Sequence, residues 1–175
     1  MNMIIQLPNP ILITPAKKIS SFDKKLHAQI ADMKKALLSA KDPKGVGLAG
    51  PQAGIPLRLF LTRPTEKSEI RVFINPEILT LSKETTERTP QQEKKLEGCL
   101  SIPKIWGRVK RHQSLTLRYQ DETGKVHEEE FSEFLATIIQ HETDHVNGIL
   151  FTNRIIEQKG KFYQTVIDEN GKEIL

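Results

Sequence analysis

In the last third of the chain stands Gln140-His141-Glu142-Thr143-Asp144-His145, a His-Glu-x-x-His pattern directly after the apolar stretch Phe134-Leu135-Ala136-Thr137-Ile138-Ile139. Residues four apart lie one above the other on a helix face, so the rings of His141 and His145 can converge on one point. Two imidazoles so placed suit a divalent ion. Glu142 follows the first histidine by about 100° around a 3.6-residue turn, so its carboxylate can flank the ion as a base without becoming a ligand. The competing reading is a helix end whose histidines and acids face solvent. It is weakened by the apolar residues before His141, which would bury the segment, because buried imidazoles and carboxylates need partners. His27, His112 and His127 lack the spacing and are expected to be ordinary surface residues.

A catalytic metal site takes three protein ligands and an open position. Glu97-Gly98-Cys99-Leu100-Ser101 carries the single cysteine of the chain. Coordination would deprotonate its thiol, and Gly98 permits close backbone approach. A lone cysteine is more often buried filler, so the pentapeptide alone leaves both readings open. Gly45-Val46-Gly47-Leu48-Ala49-Gly50-Pro51-Gln52 contains Gly-x-Gly-x-x-Gly. The dinucleotide fingerprint needs a strand before it and a helix opening within it, whereas here a helix precedes and Pro51 and Gly54 follow. A loop bringing backbone amides and the Gln52 side chain to a carbonyl substrate fits better, with a simple tight turn as the alternative.

These segments need elements to position them. Over residues 22 to 40, Leu26, Ile30, Met33 and Leu37 recur at three- and four-residue steps opposite lysines, which predicts an amphipathic helix capped by Ser20 or Ser21 and closed by Asp42-Pro43. Residues 57 to 62 and 70 to 75 read as strands, with Pro64 and Pro76 in the connections, and residues 82 to 95 as an exposed loop. Residues 114 to 119 and 126 to 131 form an antiparallel pair joined through Asp121-Glu-Thr-Gly124. A second helix runs from a Ser132 cap to about Asn147, where Gly148 ends it. A last strand is expected at residues 162 to 167, with a turn at 168 to 171. Helices and strands without regular alternation indicate an α+β class.

The three motifs, in this order, resemble the peptide deformylase family, which removes the formyl group from the initiating methionine of nascent chains. Leu7-Pro8-Asn9-Pro10-Ile11-Leu12 is similar to the family's amino-terminal stretch, and the resemblance spans about residues 4 to 153. It implies antiparallel β-sheets packed around a central metal-binding helix, with an amino-terminal amphipathic helix. A single catalytic domain would cover residues 1 to 175, with 155 to 175 a variable tail ending in a strand. Cys99, His141 and His145 become the metal ligands and Glu142 the general acid and base. Gln52 and the backbone N–H of Leu100 become donors to the oxyanion. The implied ion is Fe2+, with Zn2+ or another divalent ion able to replace it on isolation. The implied substrates are N-formylmethionyl nascent peptides, with ribosome association left open. Two departures stand out: Gly50 sits where the family usually has alanine, which would loosen the loop, and the tail lacks the long terminal helix of some members. Phe134, Thr137 and Ile138, one and two turns before His141, would wall an apolar methionine pocket with Val46. The backbone of Gly47 would pair with an extended peptide.

Composition bounds the alternatives. With 175 residues, 37% hydrophobic and 27% charged, the chain suits one globular domain. One cysteine excludes an internal disulfide, and the start lacks a signal-like or membrane-spanning run, so a cytoplasmic location is expected. The net charge is +4, and the basic pairs Lys17-Lys18, Lys24-Lys25, Lys34-Lys35 and Lys94-Lys95 read as solvated faces and not as sequence-specific nucleic-acid recognition. A zinc peptidase shares His-Glu-x-x-His but would need a ligand after the helix, and residues 146 to 157 offer only Glu157. A peptide-binding module with a structural metal is disfavoured by the intact Glu142 and Gln52.

Overall fold

Alternation along two strands decides the layering. β1 (Gly47–Ala49), β2 (Leu59–Thr62) and β3 (Arg71–Leu81) lie side by side in antiparallel register, Leu61 opposite Leu48 and Val72. Leu59, Leu61, Val72 and Ile74 face one side, while Phe60 and Phe73 face the other. Because successive side chains of a strand point to opposite faces, the sheet is apolar on both sides here and needs a cover on each. Helix α1 (Lys24–Ser39) covers one face with Leu26, Ile30, Met33 and Leu37. The computed structural model describes residues 4–41, 44–86, 96–167 and 173–174, so Asp42-Pro43, Lys94-Lys95 and the expected turn at 168 to 171 lie outside the described residues.

The chain continues through β4 (Glu97–Cys99), β5 (Ile102–Gly107), β6 (Ser114–Gln120) and β7 (Val126–Ser132) into α2 (Glu133–Val146) and α3 (Phe151–Glu157). After these come β8 (Phe162–Gln164), β9 (Val166–Ile167) and β10 (Glu173–Ile174). The large sheet has the order β1-β2-β3-β6-β7, a second sheet the order β4-β5-β8, and β9 and β10 pair with each other. Helix α2 covers the second face of the large sheet, with Ala136, Ile139 and Val146 against Phe60, Phe73, Leu115, Leu117 and Phe131. A third cluster joins Cys99 and Ile102 of the small sheet to Phe151 and Ile155 of α3 and to Leu12. The expected α+β arrangement, antiparallel sheets around a central helix, is the observed one.

Several local expectations are corrected. Asp23, not Ser20 or Ser21, caps α1, accepting from Leu26 N at 2.9 Å. Ser132 occupies the cap position of α2 without a side-chain hydrogen bond, and Gly148 ends that helix in the left-handed region at φ 73°. Pro76 lies inside β3, not in a connection. A register shift between Ile74 and Glu77 takes it up, with Asn75 at φ 50° and its side chain bonded both ways to the Ile19 backbone at 2.7 and 2.8 Å. β4, β5 and α3 were not expected, and α3 occupies the start of the tail. His27 is exposed, but His112 and His127 are half-buried: His127 stacks on Tyr119, and His112 bonds to the Ser82 carbonyl.

Phe73 sits fully buried among the rings of Phe60, Tyr119 and Phe131, at centroid distances of 5.0, 4.7 and 5.7 Å. Phe73→Ala removes the common neighbour of all three and should lower unfolding free energy by about 3–5 kcal/mol in a urea titration. A loss under about 1 kcal/mol would mean that the α2 face of the sheet is not the main core.

Candidate metal centre and cleft

His141 and His145 lie on the face of α2 turned from the large sheet, their ring centroids 4.9 Å apart. Opposite them, β4 delivers Cys99, whose Sγ is 3.2 Å from His145 Nε2. The ligand atoms of Cys99, His141 and His145 all lie within 4.8 Å of one another. Bonds of about 2.0–2.3 Å to a tetrahedral ion would set neighbouring ligands roughly 3.3–3.8 Å apart, so the three fit one ion with little movement. Their electrostatics agree. Burial opposes a charge on Cys99, but His145 and His141 pull its thiol well below the ordinary range, favouring the thiolate that binds metals. The third ligand thus comes from before the helix, not after it as a zinc peptidase would require.

A chain of buried charges holds the ligands in place. His141 Nδ1 is 3.0 Å from Glu97 Oε2, leaving Nε2 for an ion. Arg111 grips Glu97 with two nitrogens at 2.8 and 3.0 Å and Asp144 with a third at 2.6 Å. Arg154 of α3 closes the chain onto Asp144 at 2.6 and 3.1 Å. Burial works against the charge on Glu97, but Arg111 outweighs it and, with His141, keeps the carboxyl down at about 2. None of Glu97, Arg111, Asp144 or Arg154 was assigned a role from the sequence. The signal was present in Asp144, a carboxylate facing the interior between two ligand positions.

Gln52 is fully buried in a 3-10 turn over Gly50–Ala53, its Oε1 taking the Ala49 N–H at 2.8 Å. That contact turns Nε2 toward Cys99 Sγ, at 3.4 Å, and Ser101 Oγ, at 3.2 Å. Gly50 does not loosen this turn: a Cβ there would come within 2.6 Å of the Leu57 carbonyl and 2.8 Å of that of Ile55. Glu142 is 3% exposed, and its Oε2 has no hydrogen-bond partner. Burial pushes its carboxyl up to about 7, against the pull of His141 and His145. Its other oxygen lies under Gly47, where any Cβ would overlap it.

These groups line one cavity of about 270 Å³. Gln52, Cys99, Leu100, His141 and Glu142 line it together with Val46, Gly47, Phe134, Thr137 and Ile138, so every residue expected at the substrate site borders it. His145 is fully buried behind. Lys44, Leu96 and Trp106, not singled out from the sequence, also line it.

The family model for polypeptide deformylase matches residues 1–161. A peptide deformylase of Helicobacter pylori strain Shi470 is 37% identical over 175 residues, covering 97% of this chain and 94% of that one. Among solved structures, the peptide deformylase of Thermotoga maritima superposes with a TM-score of 0.78 at 36% identity, over 88% of this chain and 97% of that one. An Acinetobacter baumannii class I type b peptide deformylase bound to Met-Ala-Ser gives a TM-score of 0.76 at 32% identity, over 87% and 96% of the two chains.

Arg111→Met should destabilise the protein by about 3–5 kcal/mol, because buried Glu97 would lose its arginine partner and Asp144 would keep Arg154 alone. Urea unfolding monitored by circular dichroism measures this. A change within about 1 kcal/mol would show that the network does not brace the site.

Proposed function

The chain belongs to the polypeptide deformylase family, and we propose that the cleft between β1, β4 and α2 is where it does that family's work. The enzyme is a metal-dependent hydrolase that removes the formyl group from amino-terminal methionine. The observation that carries the placement is the buried, unpartnered Oε2 of Glu142 beside three converging ligand atoms. A buried carboxylate oxygen without a donor is costly unless a reactant supplies one.

In this reading Cys99, His141 and His145 would hold a divalent ion, which when bound would supply an acidified water and a Lewis acid for the formyl carbonyl. Glu142 takes the proton of that water and returns it to the departing amine. The Nε2 of Gln52 and the backbone N–H of Leu100 stabilise negative charge as it grows on the formyl oxygen. Val46, Phe134, Thr137 and Ile138 receive the unbranched methionine side chain. Arg63 N donates to the Val46 carbonyl at 2.7 Å, so alternation turns the peptide groups of Gly47 away from β2, toward the cleft. There they can bond to an extended substrate as an added strand. The Met-Ala-Ser peptide bound to the Acinetobacter relative supports a methionine-first ligand.

The ion we propose is Fe2+, with Zn2+ or another divalent ion taking its place on isolation; one thiolate with two imidazoles suits both. Residues 1 to 175 act as one catalytic domain, working on nascent peptides in the cytoplasm, and ribosome association is compatible with the basic surface. Among the described residues no helix is long and apolar enough to cross a membrane.

Glu142→Ala should lower kcat for formate release from formyl-Met peptides by about 10²–10⁴-fold while metal content stays at one ion per chain. Formate release at the native rate with metal bound would remove Glu142 from the chemistry. Purification under anaerobic conditions should raise specific activity and iron content together. If activity is the same after aerobic and anaerobic purification, iron is not the working ion.

A further inference from the structure

Methionine accounts for only part of the cavity. Lys44, Leu96 and Trp106 line it as well and are not needed for a methionine side chain. Their position follows from the direction in which a substrate must run. Gln52 and Cys99, at the formyl end, stand just past the carboxy-terminal end of β1 and at the end of β4. Lys44 and Leu96 stand before the amino-terminal ends of the same strands. A peptide with its formyl group beside Gln52 and its backbone along Gly47 therefore runs antiparallel to β1. The residues after methionine leave between Lys44 on one side and Leu96 and Trp106 on the other.

The two sides of this mouth differ in kind. Trp106 is a fixed wall: its indole N–H donates to Thr165 Oγ1 at 2.8 Å, and its ring lies over Gly98, where a Cβ would come within 2.6 Å of it. Lys44 is a held but exchangeable cation. Its ammonium meets Glu66 at 2.7 Å with the two side chains 74% and 73% exposed, a pairing that water and salt compete with easily. The anions deeper in the cavity cannot answer it, since Glu97 is committed to Arg111 and His141 and Glu142 is buried at the floor.

We propose that this mouth selects substrates carrying a carboxylate side chain in the first two residues after the formylated methionine, with Lys44 as the selecting residue. The inference rests on the deformylase reading of the cleft. A substrate carboxylate takes the place of Glu66 on the ammonium, and a basic side chain meets repulsion instead. Side chains of an extended peptide alternate in direction, so one of the two positions faces Lys44 more directly than the other.

The test uses two peptide series, formyl-Met-X-Ala amide and formyl-Met-Ala-X amide, with X as Asp, Ala or Lys; the terminal amide removes the competing carboxylate. Formate release is measured for the native enzyme, for Lys44→Glu, and for Lys159→Glu, which changes net charge equally without lining the cavity. In at least one series kcat/KM should fall from Asp through Ala to Lys, by about three- to tenfold overall, mostly through KM. The order should flatten in about 1 M salt and invert in Lys44→Glu but not in Lys159→Glu. Binding to Glu142→Ala, followed by fluorescence of the single Trp106, should show the same order without turnover. Equal values for Asp and Lys in both series, or equal inversion by Lys159→Glu, overturns the proposal. Failure to release formate from the Ala peptides would instead overturn the deformylase reading, and the selectivity with it.

Discussion

The guanidinium of Arg111 is the contact on which the site depends. Cys99 and the two histidines lie far apart in sequence and on different elements, and nothing in the local structure of β4 or α2 sets the gap between them. Arg111 sets it. Its nitrogens hold Glu97, two residues before Cys99, and Asp144, one residue before His145, and it is itself 5% exposed. A buried charge that bridges two acids fixes position more firmly than apolar contact, because displacing either acid leaves ions unpaired in a medium of low dielectric. Arg154 extends the arrangement to α3, so the helix that leads into the tail also braces α2.

Around this brace, the fold leaves two strand edges facing one another across the cavity. β1 is the edge of the large sheet and β4 the edge of the small one. Exposed edges are usually a hazard, since they invite pairing with any extended chain. Here they border a narrow cleft, where an extended peptide is the intended occupant under the proposed function. The approach is close because two glycines allow it. Gly47 lies over the Glu142 carboxylate and Gly98 under the Trp106 ring, and a side chain at either position would fill space that the carboxylate or the indole now occupies.

Much of this is legible in the sequence. The 3.6-residue periodicity gave α1 and α2, alternation gave β2, β6 and β7, and the spacing of His141 and His145 specified a ligand pair because helix geometry is local. What stayed hidden was non-local. β4 and β5 are short and rich in Gly, Pro and Lys, so no periodic signal marks them, and their pairing appears only with the β4-β5-β8 sheet. Pro76 was expected to break a strand, but a bulge absorbs it. Arg111 and Arg154 look like surface cations in a basic chain, and only the folded arrangement reveals that each answers Asp144. Cys99 could not be separated from buried filler by its own sequence, whereas its place beside His141 and His145 groups it with two metal-ligating side chains.

Polar satisfaction along α2 is uneven, and the unevenness has a direction. Asp144 has both oxygens filled by arginines. Among the described residues, Glu142 Oε2, Thr143 Oγ1 and His145 Nδ1 account for three of the four buried side-chain atoms without a hydrogen-bond partner, the fourth being Thr62 Oγ1. Two of these, on Glu142 and His145, belong to the metal-site residues. A helix cannot carry several unmet polar groups in its interior at no cost. It can carry them where the same turn is anchored by compensated charges and by Ile139 and Val146 in the sheet core. The ion chain through Asp144 thus anchors the same turn of α2 that carries the unfilled groups. That leaves Glu142 available to a reactant, which a carboxylate already satisfied within the fold would not be.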